Sequence, residues 1–385
     1  MERIILTLAL FLFTSSLLFI EYGGYKLAFI SIILFSILII RNKNTLIEYS
    51  IVFIYITVSV FLYIAVVFKG LDVVWGGYDY YPKLRSYMVY LFATSCFFLL
   101  SKRECFLRIF LYSVKIILFL MIIFFALEYV SYIFSGEGLN ISNKLLGVEQ
   151  RALSRNFFRP TLHFAEPGTF VNYTFPLLFI YGYFKGLDNK LAISFSLVLI
   201  FTLSIQGIVI GGMYLVFSIL SQRSASKLMV AFFIIILGFI FLYGYIDVYI
   251  EQRFYRGVSQ DASLIKKLYP LDFLSNVENK RLLTGSGLFV DDCHCLIRDV
   301  GLAINMFYHY GVFSVLYLSL PFIACSLYLK NNKKTGYIIC FIIFVFTSKI
   351  AVFSGYYHLL FLMSLFLIFK DKFSGNYNEV SYSFR

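Results

Sequence analysis

The run 109–135, IFLYSVKIILFLMIIFFALEYVSYIFS, decides the class of this chain, because only Lys115 and Glu128 in it carry a charge. A helix needs about 20 predominantly apolar residues to cross a bilayer, and this run is longer than that. We therefore expect a membrane-spanning helix with Glu128 near its outer end. Lys115 lies near the inner end, where its long stem lets the ammonium group reach the surface.

The composition of the whole chain agrees with this interpretation. Of its 385 residues, 60% are apolar and 14% are charged, and the mean hydropathy is +0.83. Soluble domains are about 45–50% apolar and about 25% charged, so this chain lacks the polar residues to cover a soluble surface. Its apolar content also excludes intrinsic disorder. The composition therefore predicts an all-α polytopic membrane protein.

Apolar segments long enough, or nearly so, to cross the membrane recur along the chain and predict about twelve transmembrane helices in a single integral membrane domain, residues 1–385. These segments are 4–20, 25–40, 51–68, 87–100, 109–135, 168–184, 191–204, 207–220, 228–246, 302–329, 337–352 and 355–369. No small-x-small cleavage site follows the first segment, so we interpret it as a retained helix rather than a signal peptide. No Walker loop, dinucleotide fingerprint or HExxH motif occurs, and no cofactor is predicted.

The positions of lysine and arginine orient these segments, because cytoplasmic loops are enriched in both. In a soluble protein the net charge of +12 would suggest nucleic acid as a partner; here it reports orientation. With the N-terminus inside, sixteen basic residues fall in cytoplasmic stretches and five in short external loops. A single helix over 191–220 would turn the basic Lys330–Lys334 stretch outward, so a tight turn at Ser204–Gly207 is favoured. Both termini are then cytoplasmic.

Two external loops, 135–167 and 247–300, are long enough to be functional. Their polar residues are interleaved with apolar ones, so we expect both loops to fold against the membrane. They contain eleven basic residues, and these are the ones we expect to meet an anionic substrate.

Three arginines of the first loop, Arg151, Arg155 and Arg159, recur at every fourth position. On a helix they would form one stripe about 12 Å long, and Pro160 would end that helix. Such a stripe could bind a diphosphate group through bidentate contacts. The alternative is an interfacial helix whose arginines contact ordinary anionic head groups.

Glu166 stands directly before Pro167, a residue suited to the first turn of a helix. The positive end of the helix dipole there favours an ionised carboxylate, which could take the proton of a substrate hydroxyl as a general base. The dipole would also lower its basicity, and the alternative is a helix-capping carboxylate paired with a neighbouring arginine. His163 is at most a supporting residue.

The second loop offers Arg253 and Arg256 just beyond a span, and Arg298 near its end, as further anion-binding candidates. His294 is a candidate acid–base residue, because imidazole titrates near neutral pH; the alternative is a solvated loop histidine. His294 is the centre of a Cys-His-Cys triplet whose spacing does not match that of zinc sites. No metal site is therefore predicted.

A series of short motifs links these loops and spans. In chain order they are Arg159-Pro160-Thr161, Glu166-Pro167-Gly168, Leu203-Ser204-Ile205-Gln206-Gly207, Leu283-Thr284-Gly285-Ser286-Gly287-Leu288, Asp299-Val300-Gly301-Leu302 and Tyr310-Gly311. From about residue 109 to 329 this order resembles the O-antigen polymerase (Wzy) family of bacterial envelope glycan synthesis, which is related in fold to the O-antigen ligases.

The resemblance implies a metal-independent, GT-C-like glycosyltransferase of the bacterial inner membrane. It would join undecaprenyl-diphosphate-linked repeat units on the periplasmic face, where a hydroxyl of one unit attacks the anomeric carbon of the growing glycan and the diphosphate leaves. Catalysis would need anion stabilisation and help in deprotonating the hydroxyl. The arginines suit the first role, and Glu166 or His294 the second. A chain-length regulator is a candidate protein partner.

Two other functions stay open. An O-antigen ligase would move finished glycan onto lipid A–core, and a flippase or other transporter would carry lipid-linked units across the membrane. Ion-coupled transporters normally bury charged relays near the membrane midplane. The predicted spans have few ionisable residues beyond Lys115, Glu128 and Lys349, which argues against transport.

Overall fold

The computed structural model describes residues 2–19, 23–41, 46–69, 80–101, 103, 105–136, 138–139, 153–154, 157–164, 166–221, 283–285, 301–331, 335–348, 358 and 362–364. Within these ranges the chain is almost entirely helical, which confirms the all-α class. The helices are α1 (Glu2–Leu18), α2 (Tyr25–Ile39), α3 (Leu46–Lys69), α4 (Tyr80–Leu100), α5 (Phe106–Ser135), α6 (Pro167–Lys185), α7 (Lys190–Phe201), α8 (Ile205–Ser221), α9 (Leu302–Tyr310), α10 (Ser314–Asn331) and α11 (Thr335–Thr347). Two short strands, β1 (Leu153–Ser154) and β2 (Phe157–Phe158), pair with each other.

The helices coincide with the apolar segments that the sequence predicts, with one correction. The predicted span 302–329 is wrong as a single helix, because a 3₁₀ turn over Gly311–Phe313 separates α9 from α10. Gly311 has φ 56° and ψ −137°, a conformation that glycine adopts at little cost and that the interior of an α-helix does not contain. The predicted span 228–246, and most of 355–369, lie outside the described residues.

A turn separates α7 from α8, as the charge distribution predicts. Leu203 takes the left-handed conformation there, with φ 51°. The next residue, Ser204, caps α8, because its Oγ accepts the Gly207 N–H at 2.9 Å. The segment 191–220 is therefore a helical hairpin and not one long helix.

The two helices of this hairpin approach closely where α8 presents glycine. A Cβ atom on Gly211 would lie 2.6 Å from the Ser196 carbonyl oxygen of α7, and one on Gly207 would overlap the Leu199 carbonyl oxygen of the same helix. Small residues four positions apart let helices pack at short distance in apolar surroundings. Gly207 and Gly211 therefore set the spacing between α7 and α8.

Helix α6 runs through the centre of the molecule. Its residues from Phe170 to Tyr183 are buried on every side, as expected of a helix enclosed by others. Phe170 packs against Phe125 of α5, and Phe175 against Phe344 of α11. The start of α6 is consequently held in a fixed place.

Salt bridges gather three parts of the chain at one end of the helices. The Glu2 carboxylate lies 3.2 Å from both the Arg41 and the Arg103 guanidinium groups, and Arg103 also donates to the Leu38 carbonyl oxygen at 2.5 Å. The start of α1, the end of α2 and the α4–α5 connection therefore meet. The end of α1, at Leu18, lies at the opposite end of that helix.

Much of the helix surface is apolar. Large apolar side chains such as Ile4, Phe53, Ile133 and Phe134 are more than two-thirds exposed. Among the described helices, two are long and apolar enough to cross a bilayer: α3 over Leu46–Ile64, and α5 over its whole length. The other apolar stretches in the described ranges are shorter. An exposed apolar surface of this extent normally contacts a membrane or another protein.

Candidate functional site

The segment Phe158–Glu166 joins β2 to α6 and carries Arg159, His163 and Glu166. It is folded into the protein, since Phe158, Pro160, Thr161, Leu162 and Phe164 are all buried. The described part of the first long loop thus packs against the protein itself, and its packing against the membrane stays a prediction. Among the residues of this segment that the structure describes, Arg159, His163 and Glu166 are half-buried.

The helix predicted over Arg151, Arg155 and Arg159 is wrong. Leu153 pairs with Phe158 and Ser154 with Phe157 in antiparallel register, so the chain reverses direction inside the proposed helix. Two consecutive phenylalanines favour a strand over a helix, and two residues between the strands are the usual length of a hairpin connection. The three arginines therefore do not form a stripe on one helix; Arg151 and Arg155 themselves lie outside the described residues.

Phe158 anchors the hairpin to the end of α5. Its ring stacks on Tyr132 with centroids 4.3 Å apart, and it meets Tyr129 edge-on at 5.6 Å. Gly138 lies against the same ring, since a Cβ there would be 2.6 Å from it. These contacts fix the backbone immediately before Arg159. The Arg159 side chain is therefore attached at a defined position.

Glu128 of α5 holds the next turn of the segment. Its carboxylate is fully buried, and Oε2 accepts the Leu162 N–H at 2.9 Å. Leu162 has φ 54°, in the left-handed region that L-residues seldom adopt. The turn closes with the Phe164 N–H bonded to the Thr161 carbonyl oxygen at 2.9 Å. The sequence placed Glu128 near the end of a span but gave no signal of this contact 34 residues away.

His163 follows in the same turn and faces the end of α1. Its Nε2 lies 3.1 Å from the Leu18 carbonyl oxygen; because a carbonyl only accepts, Nε2 carries the proton and Nδ1 is left as the acceptor. The ring stacks on Phe19 with centroids 4.6 Å apart. Burial lowers the pKa of His163 to about 4, so the imidazole is neutral at pH 7.

Glu166 occupies the position just before α6, which begins at Pro167 as the sequence predicts. Its backbone is extended, with φ −137° and ψ 148°, and its carbonyl oxygen accepts the Phe170 N–H at 3.1 Å. Within the described residues its side chain makes no capping hydrogen bond to α6. The carboxylate therefore lies at the positive end of a buried helix dipole.

An apolar cavity of about 300 Å³ adjoins this turn. It is bounded by α1, α5 and the turn itself, and its lining residues are Phe11, Ser15, Leu18, Phe19, Ile117, Leu120, Met121, Phe124, Leu162 and His163. Along α1 it extends from Phe11 to Leu18, a rise of about 10 Å, and the turn lies at the Leu18 end. Phe11, Leu120 and Phe124 are more than one-third exposed, so the cavity opens sideways to the outer surface.

A polar contact that the sequence did not predict links α6 to the α7–α8 turn. Gln206 Nε2 donates to Asn172 Oδ1 at 2.5 Å. Among the described residues, the Gln206 Oε1 atom is buried and has no hydrogen-bond partner. The short Leu203–Gly207 motif is thereby connected to the same helix that Glu166 precedes.

The remaining predicted site residues of the second loop, Arg253, Arg256, His294 and Arg298, lie outside the described residues. Of that loop the structure describes Leu283–Gly285, where Gly285 has φ 73°. A Cβ on Gly285 would lie 2.6 Å from the Gly311 amide nitrogen, so this glycine packs directly against the end of α9. The described residues contain no group of three His, Cys, Asp or Glu side chains that could hold a metal ion.

Comparisons with known proteins gave no matching family model, no matching curated protein and no matching solved structure.

Proposed function

We propose that this chain is a polytopic glycosyltransferase of the bacterial inner membrane, which joins undecaprenyl-diphosphate-linked oligosaccharide units on the periplasmic face as O-antigen polymerases do. The observation that carries the proposal is the apolar cavity between α1 and α5. It opens to the outer surface at its side, and its end is formed by the turn that bears His163, between Arg159 and Glu166. An amphiphile with an apolar tail and an anionic head fits such an arrangement.

The three parts of the site have separate roles in this proposal. The cavity takes a stretch of the prenyl chain, because its walls offer almost only apolar side chains. Arg159 neutralises the diphosphate that leaves, as guanidinium groups do well. Glu166 takes the proton of the attacking hydroxyl as a general base. Arg151, Arg155, Arg253, Arg256 and Arg298 would add to the anion site, and His294 is the second candidate base.

The proposed membrane arrangement has twelve spans, a GT-C-like layout and both termini in the cytoplasm. It is supported by the length and apolar character of α3 and α5 and by the apolar outer faces of the other helices. The Glu2–Arg41–Arg103 cluster supports the placement of three predicted cytoplasmic stretches on one side, because it brings them to one end of the helices. His163 meets α1 at its other end, which suits a periplasmic loop.

Deleting the gene in its own host tests the proposal by the lipopolysaccharide ladder. Loss of a polymerase leaves core with at most one repeat unit, whereas loss of a ligase leaves bare core and lipid-linked polymer. Loss of a flippase traps repeat units on the cytoplasmic face. We expect the first outcome, and either of the others would replace the proposed function.

Complementation of the deletion then tests the residues. Arg159→Ala, Arg253→Ala and Glu166→Gln are each expected to shorten the ladder at normal protein levels. Arg41→Ala is the matched control, because it removes an exposed arginine at the opposite end of the helices. Full-length glycan from all three site variants would exclude the site assignment.

A further inference from the structure

We infer that Glu128 is a positioning residue of the proposed site: it holds the turn between Arg159 and Glu166 through its hydrogen bond to the Leu162 amide. The inference rests on the proposed function, because it assigns Glu128 a part in the same site. It concerns a residue that acts through the backbone of another and does not itself meet the substrate.

The contact explains why a carboxylate stands in so apolar a helix. Ionisable residues in membrane-spanning helices are costly and usually mark function. Glu128 is fully buried, and one of its oxygens accepts the Leu162 N–H at 2.9 Å. An apolar residue at this position would leave that buried amide unsatisfied, which costs more than the hydrogen bond itself contributes.

The amide that Glu128 holds belongs to the most constrained residue of the segment. Leu162 keeps a left-handed backbone, φ 54°, and a bulky residue stays in that region only when its surroundings impose it. The surroundings here are the Glu128 carboxylate on one side and the Phe164-to-Thr161 hydrogen bond on the other. Without the carboxylate the backbone is free to relax towards the ordinary regions.

The position of this turn determines how the parts of the site face one another. Leu162 and His163 line the end of the cavity, whereas Glu128 is not among the cavity-lining residues that the structure describes. Arg159 precedes Leu162 by three residues and Glu166 follows it by four. A change at Leu162 therefore moves the cavity end relative to both charged side chains, and a displacement of about 1 Å can cost about a hundredfold in rate.

Two substitutions separate positioning from proton transfer. Glu128→Gln keeps an oxygen in place to accept the Leu162 N–H but cannot act as a carboxylate, and Glu128→Leu removes the acceptor at similar volume. Amide hydrogen exchange, followed by mass spectrometry on the full-length protein in nanodiscs, reports the hydrogen bond in peptides covering residues 157–166. The lipopolysaccharide ladder of the complemented deletion strain reports activity.

With Glu128→Leu we expect exchange in 157–166 to speed up about tenfold or more, since removal of the acceptor leaves a buried amide unsatisfied. Peptides of α3 and α4 should exchange as before, and the ladder should shorten. Glu128→Gln should keep both the slow exchange and the long ladder of the unsubstituted protein. Should Glu128→Leu fail to accumulate, Glu128→Asp decides in the same way, because its shorter side chain withdraws the carboxylate from the amide.

Unchanged exchange in Glu128→Leu, or in Glu128→Asp where that variant is used, overturns the inference. A short ladder in Glu128→Gln with slow exchange also overturns it, because the carboxylate would then act chemically. If Glu128→Leu exchanges faster but deletion of the gene leaves the lipopolysaccharide ladder unchanged, the Glu128–Leu162 hydrogen bond stands and the proposed function is excluded. The failures of the two proposals are thus distinguishable.

Discussion

The contact between Gly182 of α6 and Tyr214 of α8 allows a steric clash to be introduced and then removed. A Cβ atom on Gly182 would overlap the Tyr214 hydroxyl oxygen and lie 3.0 Å from Cζ and 3.4 Å from Cε2 of the same ring. Both residues are buried. In the part of the chain that the structure describes, the Tyr214 hydroxyl has no hydrogen-bond partner. Gly182→Ala and Tyr214→Phe therefore act on one contact.

The expected energies follow from these distances. Gly182→Ala forces overpacking, which costs about 1–3 kcal/mol, against a gain of about 1 kcal/mol in helix propensity. Tyr214→Phe removes the overlapping atom and a buried hydroxyl without a partner, so alone it should be neutral or stabilising. In the double variant the nearest ring atom is 3.0 Å from the new methyl group, which a small shift accommodates. The coupling free energy should thus be on the order of 1–2 kcal/mol, with the double variant recovering most of the loss.

The assay is thermal unfolding of the full-length protein in detergent. The measured quantity is the fraction that remains monodisperse on size-exclusion chromatography after heating. An unfolding entropy of about 2.1 cal/mol/K per residue converts the coupling into about 1–3 °C. Gly212→Ala is the matched control, because a Cβ at Gly212 meets nothing within 4 Å and gains the same helix propensity. Two results together would show that α6 and α8 do not meet in this way. Gly182→Ala would be as stable as Gly212→Ala, and adding Tyr214→Phe would leave their relative stability unchanged.

Three further outcomes are expected. Because burial lowers the pKa of His163 to about 4, below the value of about 6.5 in unfolded chains, the unfolded state binds more protons between these values; stability should fall as pH drops from about 6.5 to about 4, and His163→Gln should flatten the melting temperature measured across that range. Gly211→Leu should open the α7–α8 hairpin, since a Cβ there already lies 2.6 Å from a backbone oxygen, and reduce the monodisperse yield, whereas equal yields from Gly211→Leu and Gly212→Leu would contradict the packing. Tyr132→Ala removes the ring stacked on Phe158, worth about 0.5–1.5 kcal/mol, and should speed amide exchange at β2 by about two- to tenfold; unchanged exchange there would show that the stack does not anchor the hairpin.

Helices were predictable where the signal is local and apolar. The runs that become α5 and α6 are long and nearly uncharged, and Pro167 marks the first turn of α6 through its fixed φ. The separation of α7 from α8 came from charge, because only a turn at Ser204–Gly207 keeps the later basic residues on the inner side. The structure agrees in each of these places.

The sequence failed where conformation depends on partners far along the chain. Arginines at every fourth position do not specify a helix, because helical periodicity is informative when the repeated residues are apolar and buried. At Phe158 the ring stacked on Tyr132 stabilises a strand instead. The break at Gly311 is hidden from hydropathy because both flanks are equally apolar. The bond from Glu128 to Leu162 spans 34 residues and has no local signature at all.

The Glu2 cluster also bears on the order in which the protein is made. Arg41 and Arg103 follow Glu2 by 39 and 101 residues. At about 5–20 residues per second, the ribosome reaches the second arginine about 5–20 s after it has added the glutamate. During that interval α1 is held only by contacts with helices already synthesised, of which α2 is the first. The cluster therefore cannot close before α1–α4 have been synthesised, and it joins the beginning of the chain to a connection that did not exist when α1 was made.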